Sequence, residues 1–256
     1  MKRERAYVDG RRNQILELFK TNPELSVEEL AEKLSVSLVT IRRDLQYLED
    51  QNCLKRFYGG AKVVDQDIPA ADETRIYRDL IARYAATLIE DGDSLFINTS
   101  SNALAVLPYI TSEKVTVITN NGKALSSKYS DEVSVILTGG ELRHPKDAMV
   151  GDFALRNLQM VFAKKAFIGC SGLSLFTGMT TEIANEVNIN ELMIDHATQG
   201  VYILADHTKI GKSSSFTSCA IDKVQHLITD EKAPADILEQ MRAAGVQIHQ
   251  VRLNNH

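Results

Sequence analysis

Two kinds of chemistry can be read from residue types in this chain. The first is cationic. Arg42 and Arg43 stand side by side in SVSLVTIRRDLQYLED (35–50), with Ser37, Leu38 and Thr40 just before them. A guanidinium is a planar fork of donors that fits the two acceptors of guanine, and a hydroxyl or methyl can read other base edges. Lys55, Arg56 and Lys62 follow around Gly59-Gly60. They suit phosphate oxygens, which fix register without reading sequence. The second kind is neutral. Asn98-Thr99-Ser100-Ser101-Asn102 and Thr119-Asn120-Asn121 gather hydroxyls and amides between an apolar stretch and a helix-like one. Such groups can hold an anion or a sugar hydroxyl, or simply cap a helix.

The elements that must position the cations are short. Ile15, Leu18 and Phe19 fall at helical spacing in residues 11–21, and Asn22-Pro23 ends that helix. Ser26 and Glu29 form a capping box, with Leu30 and Leu34 one turn apart. Ser35-Val36-Ser37 is a tight turn, and Ser37 can cap a helix running to about Asp50. Ile41, Leu45 and Leu48 share one face of it, while Arg42 and Arg43 lie elsewhere. Residues 54–58 and 61–64 read as two strands around the glycine pair. Two helices, a tight turn and a hairpin make a winged helix-turn-helix, whose second helix enters the major groove by its N-terminal end. The plainer alternative is a three-helix packing unit with solvated arginines.

Residues 65–74 (DQDIPAADET) are polar, hold Pro69 and show no periodicity, so they read as a linker. Beyond them strands and helices alternate. The expected strands are 94–98, 115–119, 133–137, 165–170, 201–205 and 224–228, and the expected helices 100–111, 122–130, 151–161, 184–198 and 234–244. Short apolar strands between helices imply a mostly parallel sheet covered on both faces. The fold class is mainly α/β: a small winged helix-turn-helix over 1–64, the linker, and a larger α/β domain over 75–256 with its pocket at the strand ends.

Composition narrows the function classes. Of 256 residues, 44% are hydrophobic and 25% charged, as in an ordinary globular protein. No apolar run reaches membrane length, and the charged N-terminal run has no apolar core of a signal peptide, so a cytoplasmic protein is expected. Cys53, Cys170 and Cys219 are far apart and form no C-x-x-C pair, and the six histidines lack metal-ligand spacing. Neither metal nor cofactor is expected. The net charge is −5, unevenly spread. Residues 1–62 hold twelve Lys and Arg against ten Asp and Glu; the rest holds seventeen against twenty-four. A slightly basic head on an acidic body suggests separate partners for the two parts.

The run from Val36-Ser37 to Gly59-Gly60-Ala61 resembles the signature of the DeoR family of transcriptional regulators, V-S-x-x-T-I-R-R-D-L-x-x-L-E-x-x-G-x-L-x-R-x-x-G-G-A. Asn52 stands where the family has Gly, a mild change because Asn tolerates a left-handed helix end. The resemblance extends over nearly the whole chain. It implies a C-terminal domain similar to sugar-phosphate isomerases and used as a sensor. The family's D-x-G-T/S-T appears as Asn98 to Asn102, without the Asp and the Gly. Its V-T-N-S/N appears at Thr119-Asn120-Asn121, and its G-G-x-x-R at Gly139-Gly140-Arg143, where Arg143 is either a phosphate fork or a surface residue. Its F-x-G-x-x-G covers Gly169 to Gly172 with Ser171 in the loop. Glu186, just after Glu182, matches the family's Glu, but Asn190 stands where Lys is usual. Its D-x-S-K-F-G places Lys209 as a phosphate contact, with a plain surface lysine as the alternative.

The resemblance implies a regulator that binds a double-stranded DNA operator as a homodimer or higher homo-oligomer. In most such proteins it implies a repressor of sugar metabolism released by a phosphorylated sugar. Two other classes stay open. A phosphosugar isomerase fused to a DNA-binding head would use Glu186 or Asp206 as base, yet the chain lacks the Asp at 98 and the Lys at 190, and catalysis needs every role filled. A thiol redox regulator would use Cys170 or Cys53, although no second thiol lies nearby in sequence.

Overall fold

The computed structural model describes residues 11–253 except 13, 16–17, 20–23, 51–54, 58–59, 63–69 and 145. The chain divides into two compact units, Met1–Glu73 and Thr74–His256.

In the first unit residues 11, 12, 14, 15, 18 and 19 are helical. Strand β1 (Glu24–Ser26) leads into α1 (Val27–Leu34). The capping box forms as expected: the Ser26 hydroxyl accepts from the Glu29 N–H at 3.1 Å, and Glu29 accepts from the Ser26 N–H at 2.7 Å. Those donated bonds, the backbone one first, hold the Glu29 carboxyl below its ordinary value. Ser35 ends α1 in the left-handed conformation, φ 52°. Helix α2 (Leu38–Asp50) follows, then β2 (Lys55–Phe57) and β3 (Gly60–Lys62). The wing is a three-stranded antiparallel sheet, β1-β3-β2, rather than the two-stranded hairpin expected. β1 was hidden because Glu-Leu-Ser has no strand pattern of its own and acquires strand geometry only by pairing with Gly60–Lys62. Ile15, Phe19, Leu30, Ile41 and Leu45 close a small core.

The expected linker is partly helical, for α3 runs from Ala70 to Ala86. Its first residues are two alanines, Asp72 and Glu73, which favour a helix and suit its N-terminal dipole. Residues 65–69 lie outside the described residues, as does Asn52.

The second unit is built on a seven-stranded parallel sheet. Its strands are β4 (Ser94–Ile97), β5 (Val115–Thr119), β6 (Val133–Leu137), β9 (Ala163–Gly169), β12 (Ala197–Leu204), β14 (His226–Asp230) and β15 (Gln247–Val251), in the order β15-β14-β12-β9-β4-β5-β6. The chain fills one side, β4 to β6, then returns to lay β9 on the other side of β4. Two buried clusters lie against the sheet. One contains Ile81, Leu95, Ile97, Val117 and Phe167; the other Phe96, Ile168, Leu173, Met193 and Leu227.

Several segments differ from their sequence reading. The helix expected over 100–111 is a four-residue helix, α4 (Ser101–Leu104), and a 3-10 turn over Leu107–Tyr109. That over 122–130 is a 3-10 turn, Gly122–Ser126. Helices α5 (Asp152–Gln159), α6 (Ala184–Asp195) and α7 (Ala235–Ala243) fall where expected. A hairpin of β7 (Glu141–Arg143) and β8 (Ala148–Val150) occupies a stretch read as loop. A second small sheet orders β10 (Gly172–Ser174), β11 (Gly178–Thr181) and β13 (Phe216–Cys219) as β10-β11-β13. Gly-Leu-Ser and Gly-Met-Thr-Thr show little of the alternation that marks a strand.

Candidate nucleic-acid interface and ligand pocket

In α2 the side chains sort cleanly. Ile41, Leu45 and Leu48 are buried, while Leu38, Val39, Arg42 and Arg43 are exposed. Ser37 is the cap, its hydroxyl accepting from the Thr40 N–H at 3.2 Å and meeting the Thr40 hydroxyl at 2.9 Å. Among the described residues neither Arg42 nor Arg43 has an acidic partner. Val39 is 73% exposed at the same end of the helix, a methyl-bearing surface between Leu38 and Thr40. The next residue, Asp44, is 1% exposed. It accepts from Arg11 Nε at 2.6 Å and from Arg12 Nε at 3.0 Å, and the Arg12 guanidinium lies 3.6 Å over the Tyr47 ring. The R-R-D triplet thus splits into two exposed cations and one buried anion that ties α2 to the N-terminal helical stretch carrying Arg11 and Arg12. Lys55, Arg56 and Lys62 lie in β2 and β3, and their side chains are outside the described residues.

In the second unit a cavity of about 300 Å³ opens where the strand order reverses, between the carboxyl ends of β4 and β9. This is where an open parallel sheet leaves a crevice, because loops from the two strands part to opposite faces. The 98–102 loop forms one wall. Asn98 Nδ2 donates to Gly169 O and to Asn190 Oδ1, both at 2.9 Å, and its Oδ1 accepts from Gly169 N at 3.0 Å and Ser100 N at 3.2 Å. Its hydrogen-bonding capacity is filled, so Asn98 joins β4 to β9. The Ser100 hydroxyl caps α4 through the Asn102 N–H, and Ser101 is exposed. Asn102 bridges Arg78 Nε at 2.9 Å and Asp206 Oδ2 at 3.3 Å.

Opposite lies Glu186, 4% exposed. Thr99 donates to it at 3.2 Å, Thr181 at 2.7 Å, and Lys146 Nζ stands 3.3 Å from both of its oxygens. Asn121, Ser171, Glu182 and Lys209 also line the cavity. Lys123 and Lys209 have no anionic partner there among the described residues. Cys170 is in the wall too. Burial, only partly offset by Lys209, pushes its thiol up to about 12. That direction disfavours the thiolate on which a redox switch relies. Cys53 is outside the described residues.

Five expected contact residues do not line the cavity. Thr119 is fully buried, its hydroxyl accepting from the Asn121 N–H at 3.0 Å. Asn120 Nδ2 donates to Met149 O at 3.2 Å. Gly139 and Gly140 turn the chain into the hairpin with φ 67° and 103°, and a Cβ on Gly140 would stand 2.6 Å from Val150 O. Arg143 is exposed on β7 beside Glu141 at 3.0 Å. Asn120 and Gly140 fasten the hairpin, and the Gly-Gly turn sends Arg143 along its outer strand. The sequence reading in turn missed Arg78, Lys123, Lys146 and Thr181. None follows a sheet strand directly, which was the signal used; Lys123 was the most accessible, one residue past the Asn121-Gly122 loop. Among the described residues no group of His, Cys, Asp and Glu could hold a metal ion, and no helix is long and apolar enough to cross a membrane.

Comparison with known proteins agrees with this division. Residues 11–67 match the DeoR-like helix-turn-helix domain and residues 75–231 the DeoR C terminal sensor domain. The HTH-type transcriptional regulator GolR of Listeria innocua is 29% identical, covering 93% of this chain and 96% of that protein. YulB of Bacillus subtilis, an HTH-type transcriptional regulator, is 31% identical over 87% of this chain and 89% of its own. The lactose phosphotransferase system repressor of Staphylococcus aureus is 29% identical over 86% and 91%. Among solved structures, ribose 5-phosphate isomerase A from Methanocaldococcus jannaschii aligns at a TM-score of 0.38 and 14% identity, over 54% of this chain and 55% of that one. The chain belongs to the DeoR family of transcriptional regulators.

Proposed function

We propose that this protein represses a sugar-metabolism operon by binding its operator through α2, and that a phosphorylated sugar in the second unit's cavity relieves the repression. The single observation that supports this best is the pairing, in one chain, of exposed Arg42 and Arg43 on a helix-turn-helix with a polar cavity of about 300 Å³ lined by Lys123 and Lys209. Two lysines without acidic partners among the described residues suit a dianionic phosphomonoester, and the hydroxyls and amides around them suit the sugar. Two copies presenting two heads would match two operator half-sites, and the effector would change their spacing or affinity. The repressor named for a lactose phosphotransferase system agrees with a sugar-linked role.

The protein is read as a sensor rather than an isomerase. Catalysis needs every role filled, whereas Asn98 and Asn190 stand where the family pattern has Asp and Lys, and they pair with each other at 2.9 Å. The decisive experiment is fluorescence anisotropy on labelled DNA from upstream of the protein's own gene, with and without a panel of sugar monophosphates. Salt-sensitive binding released by one sugar phosphate is expected. Specific binding that no sugar phosphate alters would overturn the effector class, and isomerisation of any panel member would overturn the sensor assignment.

A further inference from the structure

Lys146 reaches the cavity from the turn between β7 and β8, outside every loop that follows a strand of the seven-stranded sheet. The turn is held from behind. Asp147 has φ 55°, its carbonyl accepts from the Gly122 N–H at 2.8 Å, and the Met149 N–H donates to Asn120 O at 2.8 Å. The base of the Lys146 side chain is therefore fixed, and the side chain as a whole is 37% exposed. Its partner is the reverse: the Glu186 side chain is 6% exposed and held by two threonine hydroxyls. The ion pair thus runs from a flexible arm at the rim to a rigid carboxylate in the wall. Its two equal contacts of 3.3 Å are long for a charge-assisted hydrogen bond.

We propose that Lys146 determines ligand specificity by exchange: its ammonium leaves Glu186 for the anionic group of the ligand, and a ligand hydroxyl takes its place on Glu186. The proposal rests on the phosphosugar reading above. The exchange imposes a double requirement. An anion alone would draw Lys146 away and leave a buried carboxylate held by two threonine hydroxyls without its cation, which is costly. A neutral sugar alone would displace the ammonium and offer it no partner. A molecule carrying both a phosphate and a nearby hydroxyl satisfies both groups at once, so the pocket responds to the combination rather than to either part.

The test is calorimetric titration of the full chain with sugar monophosphates, the matching neutral sugars and inorganic phosphate, repeated on Lys146→Gln and Glu186→Gln. Wild-type protein should bind one sugar phosphate at least a hundredfold more tightly than either part. Lys146→Gln should narrow that preference over the neutral sugar tenfold or more. Glu186→Gln should narrow the preference over inorganic phosphate. If wild-type binds a sugar phosphate and Lys146→Gln keeps the same selectivity, the exchange is wrong while the effector class stands. If wild-type binds no sugar phosphate, the effector class itself falls and the exchange with it. Circular dichroism of each variant separates misfolding from lost binding, and Lys146→Arg, which keeps the charge, should retain the preference.

Discussion

Asn98 Nδ2 and Asn190 Oδ1 lie 2.9 Å apart. These are the two positions at which the chain departs from the family pattern of Asp and Lys, and they are 92 residues apart in sequence. The departures are thus one contact: a neutral amide pair stands where opposite charges would. Asn190 passes the bond on, Nδ2 donating to the Ser218 hydroxyl at 3.2 Å. Asn98→Asp alone would turn a donor into a second acceptor facing Gly169 O and Asn190 Oδ1. It should destabilise the second unit by about 2–4 kcal/mol, the range for a buried charge left without its donor partner. Adding Asn190→Lys should restore much of that loss, a coupling of at least ~1 kcal/mol in a double-mutant cycle by urea unfolding. Additive effects would mean that the two sites do not communicate.

Gly169 closes the same wall. A Cβ there would fall 1.9 Å from Ser100 Oγ and 2.3 Å from Ser100 Cβ, so the glycine is set by the approach of the 98–102 loop. Gly169→Ala should displace that loop, weaken sugar phosphate binding tenfold or more in calorimetry, and leave operator affinity unchanged. Unchanged ligand affinity would show that the loop can move without loss and would remove it from the site.

Much of this was legible beforehand, for reasons that differ by element. The capping box at Ser26 and Glu29 and the buried face of Ile41, Leu45 and Leu48 depend on neighbours within a turn, so local spacing reveals them. The strands VTVIT and VSVIL carry apolar residues in one run and fall at 115–119 and 133–137. Strand Glu24–Ser26 and the sheet of β10, β11 and β13 exist through long-range pairing and leave no periodic trace. In the pocket, the strand-end rule found the 98–102 loop, but Lys146 and Arg78 arrive from a hairpin and from α3. The rule also selected Thr119, whose hydroxyl accepts from the Asn121 N–H, Asn120, which fastens the β7–β8 hairpin, and Arg143, which lies on its outer strand.

The division of Arg42, Arg43 and Asp44 gives a prediction with two readouts. Arg43→Ala removes an exposed cation, and it should cost about 1–3 kcal/mol of operator binding and relax base preference while thermal stability stays put. Asp44→Asn removes the buried anion between Arg11 and Arg12 and should cost about 3–5 kcal/mol of stability in the first unit. Calorimetric melting and anisotropy on specific and random DNA distinguish them. Equal losses on both DNAs for Arg43→Ala would reassign Arg43 to phosphate contact.

In the second unit, His226 Nδ1 lies 3.1 Å from His249 Nε2, His249 Nδ1 is 2.9 Å from the Tyr84 hydroxyl, and Tyr202 stacks on His226 at 4.4 Å between ring centroids. Burial pushes both imidazoles below their ordinary value, and His226 is lowered further by His249. A single hydrogen bridges the two facing nitrogens, and protonating both rings would set two cations in contact. The sign follows from linkage. A histidine whose folded pKa is lowered binds fewer protons than the unfolded chain between that value and about 6.5. Stability should therefore be full above pH 7 and decline as the pH falls through 6.5 toward the folded value, with no further loss from these groups below it. Urea unfolding at pH 7.5, 6.5 and 5.5 should show the decline in wild-type protein, and the double variant His226→Gln/His249→Gln should show a smaller one. Equal slopes in both would place the pH dependence elsewhere.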